Sequence, residues 1–223
     1  MALVSPVATH ILCHLPVHRL CSPPLFVGIQ GPQGSGKTYL SSLLPSHLSS
    51  SHNLNVVALS LDDLYLPHNE LATVASTGNK LLKGRGMPGT HDITLASQTL
   101  RELRCINDGR PKEVKIPIFD KSLHSGEGDR LPKDKWNVVS IKDQERLDLV
   151  VLEGWCLGFS PISLEEARRR FDEAGSSQER LSYTLSEVLE VNEKLEKYLD
   201  LWAFLDVLVQ VYFSSSIFVN FHD

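Results

Sequence analysis

The sequence is short of the features that mark secreted, membrane and nucleic-acid-binding proteins. Four cysteines are scattered over 223 residues without a C-x-x-C pair, which argues against a disulfide framework and fits a reducing compartment. No apolar run approaches the roughly 18 residues that a membrane span requires. With a net charge of -5, the chain has no Lys/Arg cluster long enough to follow a nucleic-acid backbone. We therefore expect a small-molecule partner, with no nucleic acid, membrane or protein partner.

The first 24 residues contain no acidic residue and one basic residue, Arg19. Because both an Arg-rich transit pattern and a basic signal-peptide region are missing, a cytoplasmic location is expected, with organelle targeting as the weaker alternative and the nucleus reached by diffusion. Three histidines recur there at helical spacing: His10, His14 and His18. Pro16 should interrupt a helix there and no carboxylate supports a metal, so an N-terminal helix with solvated histidines is favoured over a metal site.

One motif dominates the remainder of the chain. GPQGSGKT at residues 31–38 fits the phosphate-loop pattern and follows an apolar run. Its glycines allow successive N–H groups to surround phosphate oxygens at the start of a helix. Lys37 can reach the β- and γ-phosphates, and Thr38 can be a Mg²⁺ ligand. An ordinary glycine-rich turn would explain the glycines but not the Lys-Thr pair. The predicted nucleotide-binding residues are Gly31, Pro32, Gln33, Gly34, Ser35, Gly36, Lys37, Thr38 and Tyr39.

Two further apolar runs end in acidic residues. The run at 56–61 delivers Asp62 and Asp63, and a run at 147–152 ends in Glu153. An apolar strand that terminates in an acid is the Walker B arrangement, in which the carboxylate orders Mg²⁺. Asp62 could accept a proton from a substrate hydroxyl or orient that hydroxyl toward the γ-phosphorus. The alternative for both aspartates is a helix or turn cap.

Strands alternate with helices along the chain. We expect strands at about 25–30, 56–61, 114–119, 147–152 and 204–212, and helices from Lys37 to about Leu44, after Asp92, at 163–174 and at 180–201. Pro45 should kink or end the first helix. Polar residues 49–53 and 120–130 are interpreted as loops, and 64–91 as a long irregular segment. This order predicts an α/β fold with a mainly parallel sheet covered by helices on both faces.

A phosphate loop alone does not distinguish kinases from switches and motors. A switch GTPase should carry an N-K-x-D motif, and the nearest candidate, Asn79-Lys80-Leu81-Leu82, lacks the aspartate. The sequence therefore argues against a GTPase.

Five ordered motifs carry a resemblance to a known family. They are GPQGSGKT, SLDDLY at 60–65, GRGMPGTHD at 84–92, IPIFDKSLHSGEGDR at 116–130 and VVLEGW at 150–155. The region 25–212 resembles phosphate-loop small-molecule kinases of the D-glycerate 3-kinase type and, more distantly, uridine kinase, phosphoribulokinase and pantothenate kinase. The resemblance implies the three-layer P-loop NTPase fold, ATP and Mg²⁺, and phosphate transfer to a small alcohol, with D-glycerate as the first candidate.

The same resemblance suggests roles for individual residues. Asp62 matches the catalytic acid, with Lys37 and Glu153 beside it at the phosphates and Mg²⁺, and Tyr65 lies next to the substrate. Motif residues expected on the acceptor side are His91, Asp92, Asp120, Lys121 and Arg130.

The charges of two loops support an anionic acceptor independently. These loops carry the cations Lys83, Arg85, Lys121 and Arg130, which could hold a carboxylate. Each one taken singly is more often a surface charge, and His124 more often a polar loop residue.

The C-terminal residues 213–223, FSSSIFVNFHD, depart from the family pattern, which continues with W-R-x-x-Q-E and a further helix. We accordingly divide the chain into an N-terminal extension (1–24), a kinase domain (25–212) and an atypical tail (213–223). The tail leaves two alternatives to an active kinase: a nucleotide-binding relative that is truncated and catalytically defective, and a non-kinase ATPase. The apolar residues of the tail could also form an exposed apolar patch that promotes association.

Overall fold

A five-stranded sheet forms the centre of the computed structural model, which describes residues 4–18, 23–109, 111–141, 145–174, 182–212 and 218–222. The helices are α1 (Val4–His18), α2 (Lys37–His52), α3 (His68–Ala75), α4 (Ile93–Cys105), α5 (Leu164–Glu173), α6 (Leu185–Lys194) and α7 (Leu199–Trp202). The strands are β1 (Leu25–Gln30), β2 (Val56–Ser60), β3 (Glu113–Ile116), β4 (Phe119–Asp120), β5 (Asp129–Arg130), β6 (Asn137–Ser140), β7 (Leu149–Gly154), β8 (Val207–Tyr212) and β9 (Phe218–His222).

The strand order in the sheet is β2-β7-β1-β8-β9. The first four strands run parallel, and β9 pairs with β8 in the antiparallel sense. In this register Gln30 lies beside Gly154, and Ser60 lies beside Glu153. The carboxyl ends of β1, β2 and β7 therefore meet at one edge, which is where open α/β sheets bind their ligands.

Side chains that alternate along the strands separate two cores. Leu25, Val27 and Ile29 of β1 pack with α1 and α2, whereas Phe26 packs with α4 and Leu201 on the opposite face. Such alternation is expected for strands buried on both sides. The predicted fold class, a mainly parallel sheet with helices on both faces, is confirmed. Among the helices of the described ranges, none has both the length and the apolar character that crossing a bilayer requires.

Helix α2 differs from the prediction. It continues through Pro45 to His52, although Pro45 has no N–H to donate to the carbonyl of Ser41. Leu44 and Leu48, on either side of the proline, are completely buried against the sheet. Burial of this face outweighs the lost hydrogen bond, and the predicted loop at 49–53 is instead the last turn, closed by Asn53 in the left-handed conformation.

Two regions contain structure that the sequence pattern did not reveal. Helix α3 lies within the segment interpreted as irregular, and residues 137–140 pair with β3. The favoured N-terminal helix is present as α1, but it continues through Pro16 to His18 instead of being interrupted there, and its apolar face packs on α2 and β1. The predicted helix at 180–201 is divided into α6, a 3-10 turn and α7. Some positions named from the sequence lie outside the described residues. They are Arg19, Cys21, the start of that predicted helix at 180–181, residues 213–217, and the side chains of 16–18 and 218–222.

Candidate active site

The loop between β1 and α2 has the conformation of an anion-binding site. Gly34 and Gly36 have φ values of 79° and 85°, in the left-handed region that favours glycine. No side chain caps the start of α2, and its first turn contains no acid. The N–H groups of that turn are therefore free to bind an anion, which the helix dipole also favours.

Glu153 joins the loop to β2. Its carboxylate is 5% exposed and accepts hydrogen bonds from Ser60 Oγ (2.5 Å) and Thr38 Oγ1 (3.4 Å). Burial raises the pKa of Glu153, although Ser60 and the positive charge of Lys37 act in the opposite direction. One buried carboxylate beside hydroxyl oxygens suits Mg²⁺, which takes hard oxygen ligands and fills its remaining positions with phosphate and water.

Asp62 follows β2 in a 3-10 turn that is capped by Ser60, whose Oγ accepts a hydrogen bond from the Asp62 N–H. Its Oδ1 accepts a hydrogen bond from Tyr65 OH (2.9 Å), and its Oδ2 lies 2.6 Å from Lys121 Nζ. Burial alone would raise the pKa of this carboxyl, but Lys121 and Tyr65 hold it below the usual value. Asp62 is consequently ionised at neutral pH. Asp63 faces elsewhere and accepts a hydrogen bond from the backbone N–H of Phe119.

His91 lies behind Tyr65. The two rings stack with centroids 4.4 Å apart, and their backbones form an isolated antiparallel bridge. His91 is 4% exposed, and its burial lowers the pKa of the imidazole to about 3. The ring is therefore neutral. Its Nδ1 lies 2.7 Å from Tyr198 OH, while Nε2 has no partner among the described residues.

Three other residues expected on the acceptor side make mainly structural contacts. Asp92 caps α4 by accepting from Leu95 N–H, and it pairs with the Arg130 guanidinium at 3.0 Å. Arg130 also donates to the carbonyl of Tyr65. The Asp120 carboxylate accepts from the N–H and hydroxyl of Ser122. None of these three, nor His91, lines the cavity described below.

A cavity of about 1040 Å³ extends from the phosphate loop across the carboxyl edge of the sheet. Its volume is ample for a nucleotide phosphate chain and a small acceptor. Of the residues predicted from the sequence, it is lined by Pro32, Gln33, Lys37, Asp62, Tyr65, Lys83, Arg85 and Lys121. Four of these are cations, against the anions Asp62 and Glu127, so an anionic ligand is favoured.

Arg85 holds the loop at 120–130 over this cavity. Its guanidinium donates to the carbonyls of Gly126 (2.7 Å) and Glu127, and it lies over the Phe119 ring at 5.7 Å. His68 approaches the same loop, with Nε2 2.7 Å from the Glu127 carboxylate and its ring stacked on His124. Both hydrogen bonds use Nη1, so Arg85 shapes the acceptor side with one nitrogen, and these two carbonyls leave its Nε and Nη2 donors unused.

Sequence reasoning did not identify four residues around the site: His68, Glu127, Trp155 and Tyr198. Trp155 donates from Nε1 to the Gly86 carbonyl, and its own carbonyl accepts from Gln30. It therefore connects the end of β7 to the segment 79–91, which we call the acceptor loop. The position of Trp155 two residues after Glu153, in the same motif, was the signal that could have identified it. His68 carried none, because the helix that begins with it was not predicted. In the described residues, no group of three or more His, Cys, Asp or Glu side chains could hold a metal ion. His10 and His14 are therefore not part of such a group.

The chain is similar to known kinases in sequence and in structure. No protein-family model matches the chain. A D-glycerate 3-kinase structure from Cryptococcus neoformans var. grubii is 38% identical with a TM-score of 0.83, covering 94% of this chain and 73% of that one. The uncharacterized kinase mug58 of Schizosaccharomyces pombe is 36% identical over 84% of this chain, and the probable ATP-dependent kinase TDA10 of Saccharomyces cerevisiae is 39% identical over 62%. The chain spans 64% and 48% of these two relatives' lengths.

Proposed function

Because this chain belongs to the family of P-loop kinases that includes D-glycerate 3-kinase, we propose that it is an ATP-dependent kinase that transfers the γ-phosphate to a hydroxyl of a small metabolite. D-Glycerate is the first candidate acceptor. One observation carries the proposal: Asp62 and the phosphate-loop residue Lys37 line the same cavity.

In this proposal the chain positions the reactants and neutralises charge, which is most of what phosphoryl transfer requires. The loop amides and Lys37 hold the phosphates of ATP. Mg²⁺, held by Thr38 and Glu153, would supply charge neutralisation at the phosphate oxygens. Ionised Asp62 orients the acceptor hydroxyl toward the γ-phosphorus and takes its proton as the bond from phosphorus to the ADP oxygen breaks. A low pKa makes Asp62 a weak base, but a loose transition state demands little basicity.

The acceptor is proposed to be an anion because cations surround the acceptor side. Lys83 and Lys121 extend into the cavity from two loops, and Arg85 fixes the second of these loops against the first. A carboxylate bound here would be held by charge-assisted hydrogen bonds. D-Glycerate, a small hydroxy acid, offers the hydroxyl and the carboxylate together.

The decisive experiment measures ADP release from Mg²⁺-ATP by purified protein with D-glycerate, uridine, pantothenate or no acceptor. Lys37→Ala provides the blank. Stimulation by D-glycerate, absent from the blank, is the expected result. Stimulation by another acceptor would support the proposed kinase activity but identify a different substrate. Acceptor-independent ADP release would identify an ATPase, and ATP binding without product would identify a nucleotide-binding protein without turnover.

A further inference from the structure

A chain of contacts connects Asp62 to the C-terminal half of the protein. Asp62 accepts from Tyr65 OH, the Tyr65 ring stacks on His91, and His91 Nδ1 meets Tyr198 OH. Tyr198 follows α6 and is 107 residues away from His91 in sequence. Its side chain is 1% exposed, so this hydrogen bond is shielded from water.

The hydrogen bonds of Tyr198 bear on which nitrogen of His91 carries the proton. The hydroxyl accepts from the N–H of Gly89 at 2.9 Å, and its own proton can be donated to His91 Nδ1. In that arrangement the proton of the neutral imidazole resides on Nε2, which has no partner among the described residues. Tyr198 would then set the tautomer of the ring on which Tyr65 stacks, and it also holds the backbone at Gly89.

The segment that carries Tyr198 is itself attached to the acceptor loop. Asn79 donates to the Glu187 carbonyl and to the Glu190 carboxylate, and Lys80 N–H donates to the Glu187 carboxylate. The Lys194 side chain lies against Gly89, where a Cβ would come within 2.2 Å of its Cδ. Two ends of one helical segment thus hold the loop that ends at His91.

We propose that Tyr198 and His91 are positioning residues that hold Tyr65, and through it Asp62, in the orientation required for phosphoryl transfer. Neither residue lines the cavity, so neither is expected to contact substrate. His91, assigned to the acceptor side from its motif, acts in this proposal through the stacked Tyr65 ring. The inference rests on the proposed kinase function for its catalytic consequence, but the tautomer of His91 is independent of that function.

Tyr198→Phe tests the proposal because it removes one hydroxyl and retains the ring. Misorientation of Asp62 should lower kcat for the acceptor about 10-fold while the Kd for ATP remains unchanged. Tyr183→Phe, at an exposed tyrosine, is the matched control and should match the wild type. Unchanged kcat in Tyr198→Phe, or equal losses of kcat and ATP affinity, would overturn the proposal.

A second measurement separates this inference from the proposed function. In protein labelled with ¹⁵N-histidine, NMR should show His91 as the neutral Nε2–H tautomer, and Tyr198→Phe should remove that preference. A His91 tautomer that Tyr198→Phe leaves unchanged would overturn the proposal even in an active enzyme. Absence of transfer from a wild type that shows the expected tautomer would instead overturn the proposed function.

Discussion

Lys121 Nζ lies 2.6 Å from Asp62 Oδ2, so a loop lysine neutralises the carboxylate proposed to meet the acceptor hydroxyl. Both side chains remain partly exposed, at 54% and 32%, and the pair therefore contributes little to the stability of the fold. Its effect is on ionisation. Against the influence of burial, Lys121 holds the pKa of Asp62 below its usual value, which keeps the carboxylate charged at every physiological pH.

Lys121→Met should move the acid limb of the pH–rate profile. Activity requires ionised Asp62 and is lost as the pH falls through its pKa. Without the lysine, burial dominates, so the pKa of Asp62 rises and the limb shifts to higher pH. The measurement is kcat/KM for the acceptor across the acidic range, with Lys112→Met as the control at an exposed site. An unshifted acid limb in Lys121→Met would show that Lys121 is not the cause of the lowered pKa of Asp62.

Asp62→Asn should separate binding from transfer. The amide retains the shape of the carboxylate but cannot take the acceptor proton, and the expected loss in kcat is about 100-fold or more, with the Kd for ATP unchanged. Asp63→Asn is the neighbouring control, since its oxygen can continue to accept from Phe119 N–H. Similar losses in both variants, or a parallel loss of ATP binding, would contradict a catalytic role specific to Asp62.

Glu153→Gln should reduce activity without lowering the stability of the fold. Removal of this carboxylate from the Mg²⁺ site is expected to cost about 100-fold or more in kcat. Burial raises the pKa of Glu153, so the folded protein binds this proton more tightly than the unfolded chain does. The extra stability that the protonated Glu153 gives the folded protein is present below the pKa of the unfolded chain. It is lost as the pH rises through the higher pKa of the folded protein.

The check on Glu153 is thermal unfolding without Mg²⁺ or nucleotide. At neutral pH the glutamine variant should have the same Tm as the wild type or a higher one, because it removes the cost of burying a charged carboxylate, which Ser60 and Lys37 offset only in part. The Ser60 hydroxyl can still donate to the amide oxygen. A Tm well below that of the wild type would show that the charge stabilises the fold, contrary to the direction of the pKa shift.

The central sheet and the phosphate side were predictable because local patterns specify them. Lys37 and Thr38 follow directly from the loop motif, and Glu153 from the apolar strand that precedes it. Helix α2 was predicted too short because the burial of Leu48 overrides a local rule about Pro45, and burial is a property of the whole fold.

The acceptor side was less predictable from the sequence. The motif that contains His91 does not reveal that the ring faces Tyr65 and Tyr198 rather than the cavity, since those partners come from other parts of the chain. In the same way Asp92 and Arg130 pair with each other, 38 residues apart in sequence. The charge pattern predicts an anionic ligand, whereas the direction of each side chain depends on tertiary contacts.

Gly31→Ala should weaken nucleotide binding. A Cβ at this position would meet Ser35 Oγ at 2.5 Å and the Val211 backbone oxygen at 2.9 Å, so the loop must move. Loss of one hydrogen bond to a charged phosphate corresponds to about 10-fold or more in Kd for ATP. The measurement is ATP titration, with Ser51→Ala as the control, because that residue is exposed in the last turn of α2, outside the cavity. Unchanged affinity in Gly31→Ala would contradict the tight loop geometry.

Lys83→Gln tests whether the acceptor is recognised by its negative charge. Lys83 lines the cavity and makes no hydrogen bond or ion pair with another residue in the described ranges, so its charge is available to a ligand. Loss of one charge-assisted contact should raise the KM for D-glycerate about 10-fold, with the KM for ATP unchanged. The matched control is Lys115→Gln in β3, an exposed lysine outside the cavity.

A neutral acceptor makes the Lys83 test independent of the variant's overall activity. Glycerol offers hydroxyls without the carboxylate, so the wild type should strongly prefer D-glycerate, and Lys83→Gln should narrow that preference by lowering kcat/KM for the anion alone. Equal losses with both acceptors would mean that Lys83 acts on the loop rather than on the carboxylate. Retention of the full preference would assign recognition of the anion to Lys121 and Arg85, the other cations of the two loops that line the cavity.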